Sequence, residues 1–151
     1  MVWAGISLRG HTELYVIQNA HLAGERYRNE ILDAHARPYA GAIGTDYLLM
    51  DDNARPHRTM VMDQYLDTDA IERMDWPARS PDPNPIEHAW GMLQRALSTL
   101  LVQPRSLQEL GLSLVQVWNH SIPQQRLTRL IASMRRRCEA VIAARGGHTR
   151  Y

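Results

Sequence analysis

Lysine is absent from this chain, and cysteine occurs once, at Cys138. A lone thiol excludes an internal disulfide framework and a cysteine-built zinc site, and a single helical cysteine serves packing more often than chemistry. Long hydrophobic runs are missing as well. No stretch reaches the roughly 18 apolar residues of a membrane span, and the opening MVWAGISLRG lacks the charged segment and apolar stretch of a secretory signal. An intracellular protein is therefore expected. Because lysine is absent, all 17 basic residues are arginines. Guanidinium binds oxyanions bidentately and so suits phosphate contacts, although GC-rich coding explains the bias equally well.

What is present divides unevenly. Residues 1–94 hold 8 Arg and 14 Asp or Glu, a net −6, whereas residues 95–151 hold 9 Arg and 2 Glu, a net +7. A basic C-terminal part beside an acidic part suits an anionic partner held near a carboxylate cluster, such as nucleic acid beside metal ligands. A solvated face is the plainer explanation of the same asymmetry. With 151 residues, 44% of them hydrophobic, the chain can build one domain with a real core.

Residues 2–7 (VWAGIS) and 12–18 (TELYVIQ) are β-rich runs around a glycine-containing LRGH, which predicts an antiparallel hairpin. Residues 22–40 carry apolar groups at helical spacing and predict an amphipathic helix ending near Pro38 and Gly41. YLLMDD, residues 47–52, reads as a buried strand whose carboxyl end emerges at a sheet edge, where open α/β sheets place their sites. ARPH makes a turn, residues 59–67 a short helix and residues 70–75 a short strand. From Asn84 the pattern is helical to the end. In the last predicted helix Leu127, Leu130, Ile131, Met134, Cys138, Val141 and Ile142 share one face, with Arg126, Arg129, Arg136 and Arg137 on the other. The fold class is mixed α/β.

Two carboxylates stand out. Asn84 can cap a helix that starts at Pro85, and Glu87 falls three residues after the cap, so a capping role alone accounts for NPIE. Glu87 also lies about 100° around the helix from the apolar Ile86, on the side of Gly91, Gln94 and Ser98, so it borders a groove. Asp52 is equally at home in a turn. Strand alternation sends Asp51 and Asp52 to opposite sides, so only one joins a given site. An aspartate at a strand end and a glutamate on a groove-lining helix can together hold Mg²⁺ or Mn²⁺, and two such ions can drive phosphodiester cleavage.

LLMDDNARPH, followed by IERMDWPARSPDPNPIEHAWGMLQRAL with 34 residues between Asp52 and Glu87, resembles the catalytic domain of Tc/mariner superfamily transposases. VWAGISLRG and ARGGHTRY resemble that family too, so the likeness covers nearly the whole chain. It implies a ribonuclease H-like mixed sheet flanked by helices, and an Asp, Asp, Glu/Asp triad binding divalent metal that cuts DNA at element ends and joins them to a target. By position Asp52 corresponds to the second acid and Glu87 to the third. Asn53 and His57 match the DNA-x-x-H pattern and are candidates for site support.

The resemblance also sets expectations about what the sequence lacks. The family's first catalytic aspartate lies on a strand before the one reading VWAGIS, so residues 1–151 are expected to form a partial catalytic domain without that strand and with an incomplete two-metal site. Glu13, Asp33, Asp46 and Asp51 are the acids near enough to replace it, and none ends an apolar central strand. No helix-turn-helix region for recognising element ends is read in these residues. The expected partners are transposon-end and target DNA, with a homodimer on paired ends and no membrane, acting in the nucleus of a eukaryotic host. Deficient catalysis is expected of these residues alone. The alternative is a non-enzymatic DNA-binding remnant using Arg126, Arg129, Arg136 and Arg137 on phosphates.

Overall fold

Two short β-rich runs at the start do pair. In the computed structural model of the chain, which describes all residues except 19–21, 45–46, 53, 78–82 and 150–151, β1 (Val2–Trp3) lies antiparallel to β2 (Tyr15–Val16), with Val2 opposite Val16 and Trp3 opposite Tyr15. A bridge between Ile6 and His11 and the bond from the Ser7 amide to the Gly10 carbonyl close the turn. The contacts of the chain fall into two compact units, Met1–Ala4 with Tyr15–Ser80, and Gly5–Leu14 with Pro81–Tyr151.

In the first unit a helical run extends from α1 (Gly24–Arg26) through a π-helical segment (Tyr27–Ala36) into α2 (Arg37–Ile43). The helix expected to end near Pro38 and Gly41 ends at Ile43, so Pro38 lies inside the run. A proline inside an α-helix loses a backbone bond and clashes with the carbonyl one turn back, and the wider π register preceding it eases that clash. Tyr27, Ile31, Leu32 and Ala36 form the buried face of this run, and they pack with Ile17, Leu49, Met62 and Leu66 into one core. Gly24 is required where it stands: a Cβ there would fall 2.6 Å from Thr59 Oγ1, and a β-branched threonine has little freedom to withdraw. Next come β3 (Leu48–Leu49), a 3₁₀ turn (Arg55–His57), α3 (Met60–Thr68) and β4 (Glu72–Arg73), with β3 and β4 parallel in the register Leu48 to Glu72 and Leu49 to Arg73. The mixed sheet expected from the sequence is represented, among the described residues, by these two separate two-stranded ladders.

The second unit is helical apart from its hairpin loop: α4 (Pro85–Ser98), α5 (Leu107–Ser121), α6 (Gln124–Ala132) and α7 (Met134–Ala143). Ala89, Leu93, Val117, Trp118, Ile122 and Leu127 are buried, and Trp90 lies against Trp118 with ring centroids 5.3 Å apart. The Trp118 indole donates to the Thr12 carbonyl at 2.9 Å, which satisfies the one polar atom of a fully buried ring.

The single last helix predicted from its apolar stripe is two helices. The chain breaks at Ser133, whose hydroxyl donates to the Leu130 carbonyl at 2.6 Å. Beyond that break the stripe is only partly kept: Met134 and Val141 are half-buried, Cys138 and Ile142 are exposed, and Arg137 is buried with only 2% of its surface accessible. The placement of Arg137 on the solvent face is thereby corrected. Its guanidinium instead donates back to the Leu130 carbonyl and contacts the Met134 sulfur.

Candidate active site

The segment after β3 turns sharply because Asp52 folds onto its own backbone. Its Oδ1 accepts the Ala54 amide at 2.9 Å, an arrangement that aspartate side chains favour in turns. Pro56 then sits in the 3₁₀ turn that carries His57. His57 Nδ1 lies 2.8 Å from the same Asp52 oxygen, in ion-pair contact but without the alignment of a good hydrogen bond. Its ring leans on Tyr27, centroids 4.2 Å apart. Burial, then the nearby Asp51 charge, push the Tyr27 hydroxyl well above its ordinary range. The Asp52 side chain remains 50% accessible.

Asp51 and Asp52 part company as alternation requires. Asp51 is 7% accessible, and Arg58 Nη2 stands 3.1 Å from its Oδ1. Burial raises the Asp51 carboxyl above the usual range, opposed by the charges of Arg58, His57 and Arg73. Arg73 on β4 braces the turn from the other side, donating to the His57 carbonyl at 3.0 Å and to Asp63 at 2.6 Å. Sequence reasoning missed both arginines. Their partners lie 7 and 16 residues away along the chain, beyond any local pattern.

In the other unit, α4 begins as the sequence implies. Asn84 accepts the Ile86 amide at 3.2 Å and Pro85 takes the first helical position. Glu87 does not complete a capping box: among the described residues its exposed carboxylate makes no hydrogen bond or ion pair. The contrast with α5 is instructive. There Ser106 accepts the Glu109 amide at 3.1 Å and Glu109 reaches back to the Arg105 amide at 2.7 Å. Glu87 is thus an uncommitted carboxylate at a helix start. Gly91, one turn later, lies beneath the guanidinium of Arg95, whose Nη1 would be 3.5 Å from a Cβ at that glycine.

Of the other acids weighed from the sequence, Asp33 pairs with Arg37 at 2.9 Å, Glu13 is exposed in the loop after the hairpin turn, and Asp46 lies outside the described residues, as do Asn53 and residues 78–82 of the loop before α4. Arg126, Arg129 and Arg136 are exposed, with no carboxylate partner among the described residues. No helix is long and apolar enough to cross a membrane among the described residues.

Residues 2–110 match the profile of the DDE superfamily endonuclease family. The chain belongs to the DDE endonuclease superfamily. This DDE chain is 32% identical over 153 residues to the Tc1 transposase of Caenorhabditis elegans, an alignment that covers 100% of the chain and 54% of that protein. It is 36% identical over 129 residues to the Tcb1 transposase of Caenorhabditis briggsae, covering 84% of the chain and 46% of the relative. The chain spans about half the length of the curated relatives it matches. In fold it resembles the crystallised catalytic domain of Mos1 mariner transposase, with a TM-score of 0.81 at 19% identity over 98% of this chain and 74% of that one. Other Mos1 structures carry the catalytic domain with raltegravir and Mg, and a paired-end complex with Mn. The ribonuclease H-like fold expected from the sequence is therefore the fold of this DDE chain.

The donor chemistry suits a hydrated divalent ion. Mg²⁺ takes carboxylate oxygens and keeps several waters, being held by one or two carboxylates rather than a closed protein cage. Asp52 offers a half-exposed carboxylate oriented through one oxygen, and Glu87 an exposed, unengaged one. No cluster of three or more His, Cys, Asp or Glu poised for metal occurs among the described residues.

Proposed function

We propose that residues 1–151 supply part of the DNA-cutting centre of a Tc/mariner-type transposase, with Asp52 and Glu87 as divalent-metal ligands and His57 orienting Asp52. The observation that carries this reading is the pair of accessible carboxylates at the two motif positions, Asp52 held through one oxygen and Glu87 unengaged among the described residues, both inside the matched DDE region. The family's use of Mg or Mn is supported by the metal-bound Mos1 structures. A bound divalent ion would supply the charge that activates an attacking water or 3′-hydroxyl and stabilises the leaving oxygen. The chain's own contribution is geometric: the Ala54 amide holds one Asp52 oxygen, with His57 Nδ1 2.8 Å from it, and the N-terminal turn of α4 presents Glu87. The partner is DNA, transposon ends and target, engaged as a homodimer on paired ends in the nucleus of a eukaryotic host.

Residues 1–151 place two carboxylates at family motif positions where the family's site uses three. On their own they are expected to cleave poorly, since a missing ligand weakens metal binding and misplaces the nucleophile. The test is nicking of supercoiled plasmid by the 151-residue chain in Mn²⁺, together with Mn²⁺ binding followed by electron paramagnetic resonance. Nicking no higher than in Asp52→Ala is expected, with Mn²⁺ binding weakened in Asp52→Asn and in Glu87→Gln. Robust nicking that vanishes in Asp52→Ala would overturn the deficiency. Unchanged Mn²⁺ binding in both variants would overturn the ligand assignment.

A second reading, a DNA-binding role without catalysis, is favoured by the exposed Arg126, Arg129 and Arg136, which have no carboxylate partner among the described residues. The buried Arg137 is left out of it. DNA binding that persists in chelator and weakens steeply with salt supports this role. Flat, weak binding counts against it.

A further inference from the structure

We infer that the groove where α4 meets the start of α6 is a binding site for the phosphodiester backbone of DNA, with Arg95 and Arg126 as its two guanidinium contacts. The inference rests on the reading of the chain as a DNA-handling endonuclease, and it adds a phosphate site to the same helix that carries Glu87.

The groove is lined by Met92 and Arg95 from α4, Thr99 just after it, Ser121 and Pro123 at the α5–α6 joint, and Arg126 from α6. Its volume is about 240 Å³, several times the roughly 30 Å³ share of a water molecule, so a phosphate group enters with its hydration. Among the described residues no acidic side chain lines it. The two arginines come from different helices, and neither has a carboxylate partner among the described residues. Two like charges facing one concavity repel each other unless an anion lies between them. The start of α6 adds to the imbalance: it has no side-chain cap and no acid in its first turn, where Arg126 stands instead. A cation at that end opposes the helix dipole, so the local charge pattern is unfavourable for the free protein and favourable for an anion-bound one.

Shape points the same way. Glu87, Gly91 and Arg95 recur at four-residue spacing along one side of α4. Because position 91 has no side chain, the Arg95 guanidinium lies back along the helix, over the turn that follows Glu87. One helical turn rises about 5.4 Å. The positive charge therefore sits about one turn from the proposed metal ligand, where it can take a phosphate close to the scissile one.

The experiment is fluorescence anisotropy of the 151-residue chain on a labelled DNA duplex of roughly 20 base pairs, titrated from about 50 to about 200 mM salt in chelator. Each phosphate contact contributes about 0.9 to the slope of log affinity against log salt. Arg95→Gln and Arg126→Gln are each expected to lower the slope by about 0.9, and the double variant by about 1.8. Arg135→Gln, whose guanidinium pairs with Glu139, should leave it unchanged. Gly91→Leu, which forces Arg95 off the helix, should copy Arg95→Gln, while Gly91→Ala, which only touches it, should not. Slopes in Arg95→Gln and Arg126→Gln equal to that of the parent would overturn the groove. No metal is present, so that failure leaves the Asp52 and Glu87 assignment standing, and loss of Mn²⁺ binding in Glu87→Gln with an unchanged salt slope separates the two in the other direction.

Discussion

The two units use arginine in opposite ways. In the first, Arg26 pairs with Glu30, Arg37 with Asp33 and Asp69, Arg58 with Asp51, and Arg73 with Asp63. In the second, the described residues hold one Arg–carboxylate pair, Arg135 with Glu139, and both members are exposed. In the acid-rich first part Arg26, Arg37, Arg58 and Arg73 serve internal pairing, and Arg58 and Arg73 brace the turn that carries Asp52. The acid-poor second part leaves Arg95, Arg126 and Arg129 facing solvent. The same residue type thus works as a brace in one unit and stands exposed in the other, where it is free to meet the proposed polyanion. The sign of the surrounding charge decides which.

The most severe break in this contrast is expected at the core of the second unit. Trp118→Ala empties a fully buried site and strands the Thr12 carbonyl, and should cost about 3–5 kcal/mol. Denaturant unfolding should show that loss, and His57 and Tyr27 resonances of the first unit should keep their native shifts if each unit holds its own core. Next is the brace itself. Arg58→Met leaves the Asp51 carboxylate buried without its nearest cation, a change worth about 3 kcal/mol, whereas Arg129→Met in the second unit should fall within about 0.5 kcal/mol of the parent. Equal costs for the two would erase the distinction drawn here.

The smallest effect concerns acid. The Glu30 carboxyl is held below its ordinary range, chiefly by its hydrogen bonds from Arg26. A depressed carboxyl contributes stability that is present above its unfolded value and lost as pH falls through the folded one. Glu30→Gln should therefore flatten the acid limb of the stability curve slightly. A steeper limb would show that the pair has another role.

Much of this was legible in the sequence because it is local. Two β-rich runs around a glycine marked the hairpin, alternation split Asp51 from Asp52, and Asn84-Pro85 marked the start of α4, so the local settings of Asp52 and Glu87 were readable from short stretches. The break at Ser133 was not, because Leu130, Ile131, Met134 and Cys138 keep helical spacing straight across it and no proline or glycine interrupts them. The π-helical segment was hidden for a related reason: Pro38 reads as a stop, and only the backbone register before it shows how it is accommodated. The bracing by Arg58 and Arg73 and the inward turn of Arg137 depend on tertiary neighbours that no spacing rule reaches.

The hairpin loop has a consequence for how the molecule comes into being. Thr12 accepts from Trp118, Ser7 from Gln124 and Leu8 from Thr128, across 106, 117 and 120 residues of chain. The loop's hydrogen bonds are thus completed only by residues synthesised more than 100 positions later. At roughly 5–20 residues per second of synthesis, the loop waits on the order of 5 to 25 s with its carbonyls open to water, while α5 and α6 form from contacts close in sequence. Docking of the loop onto those helices is expected to be a late step, as closing such long loops demands.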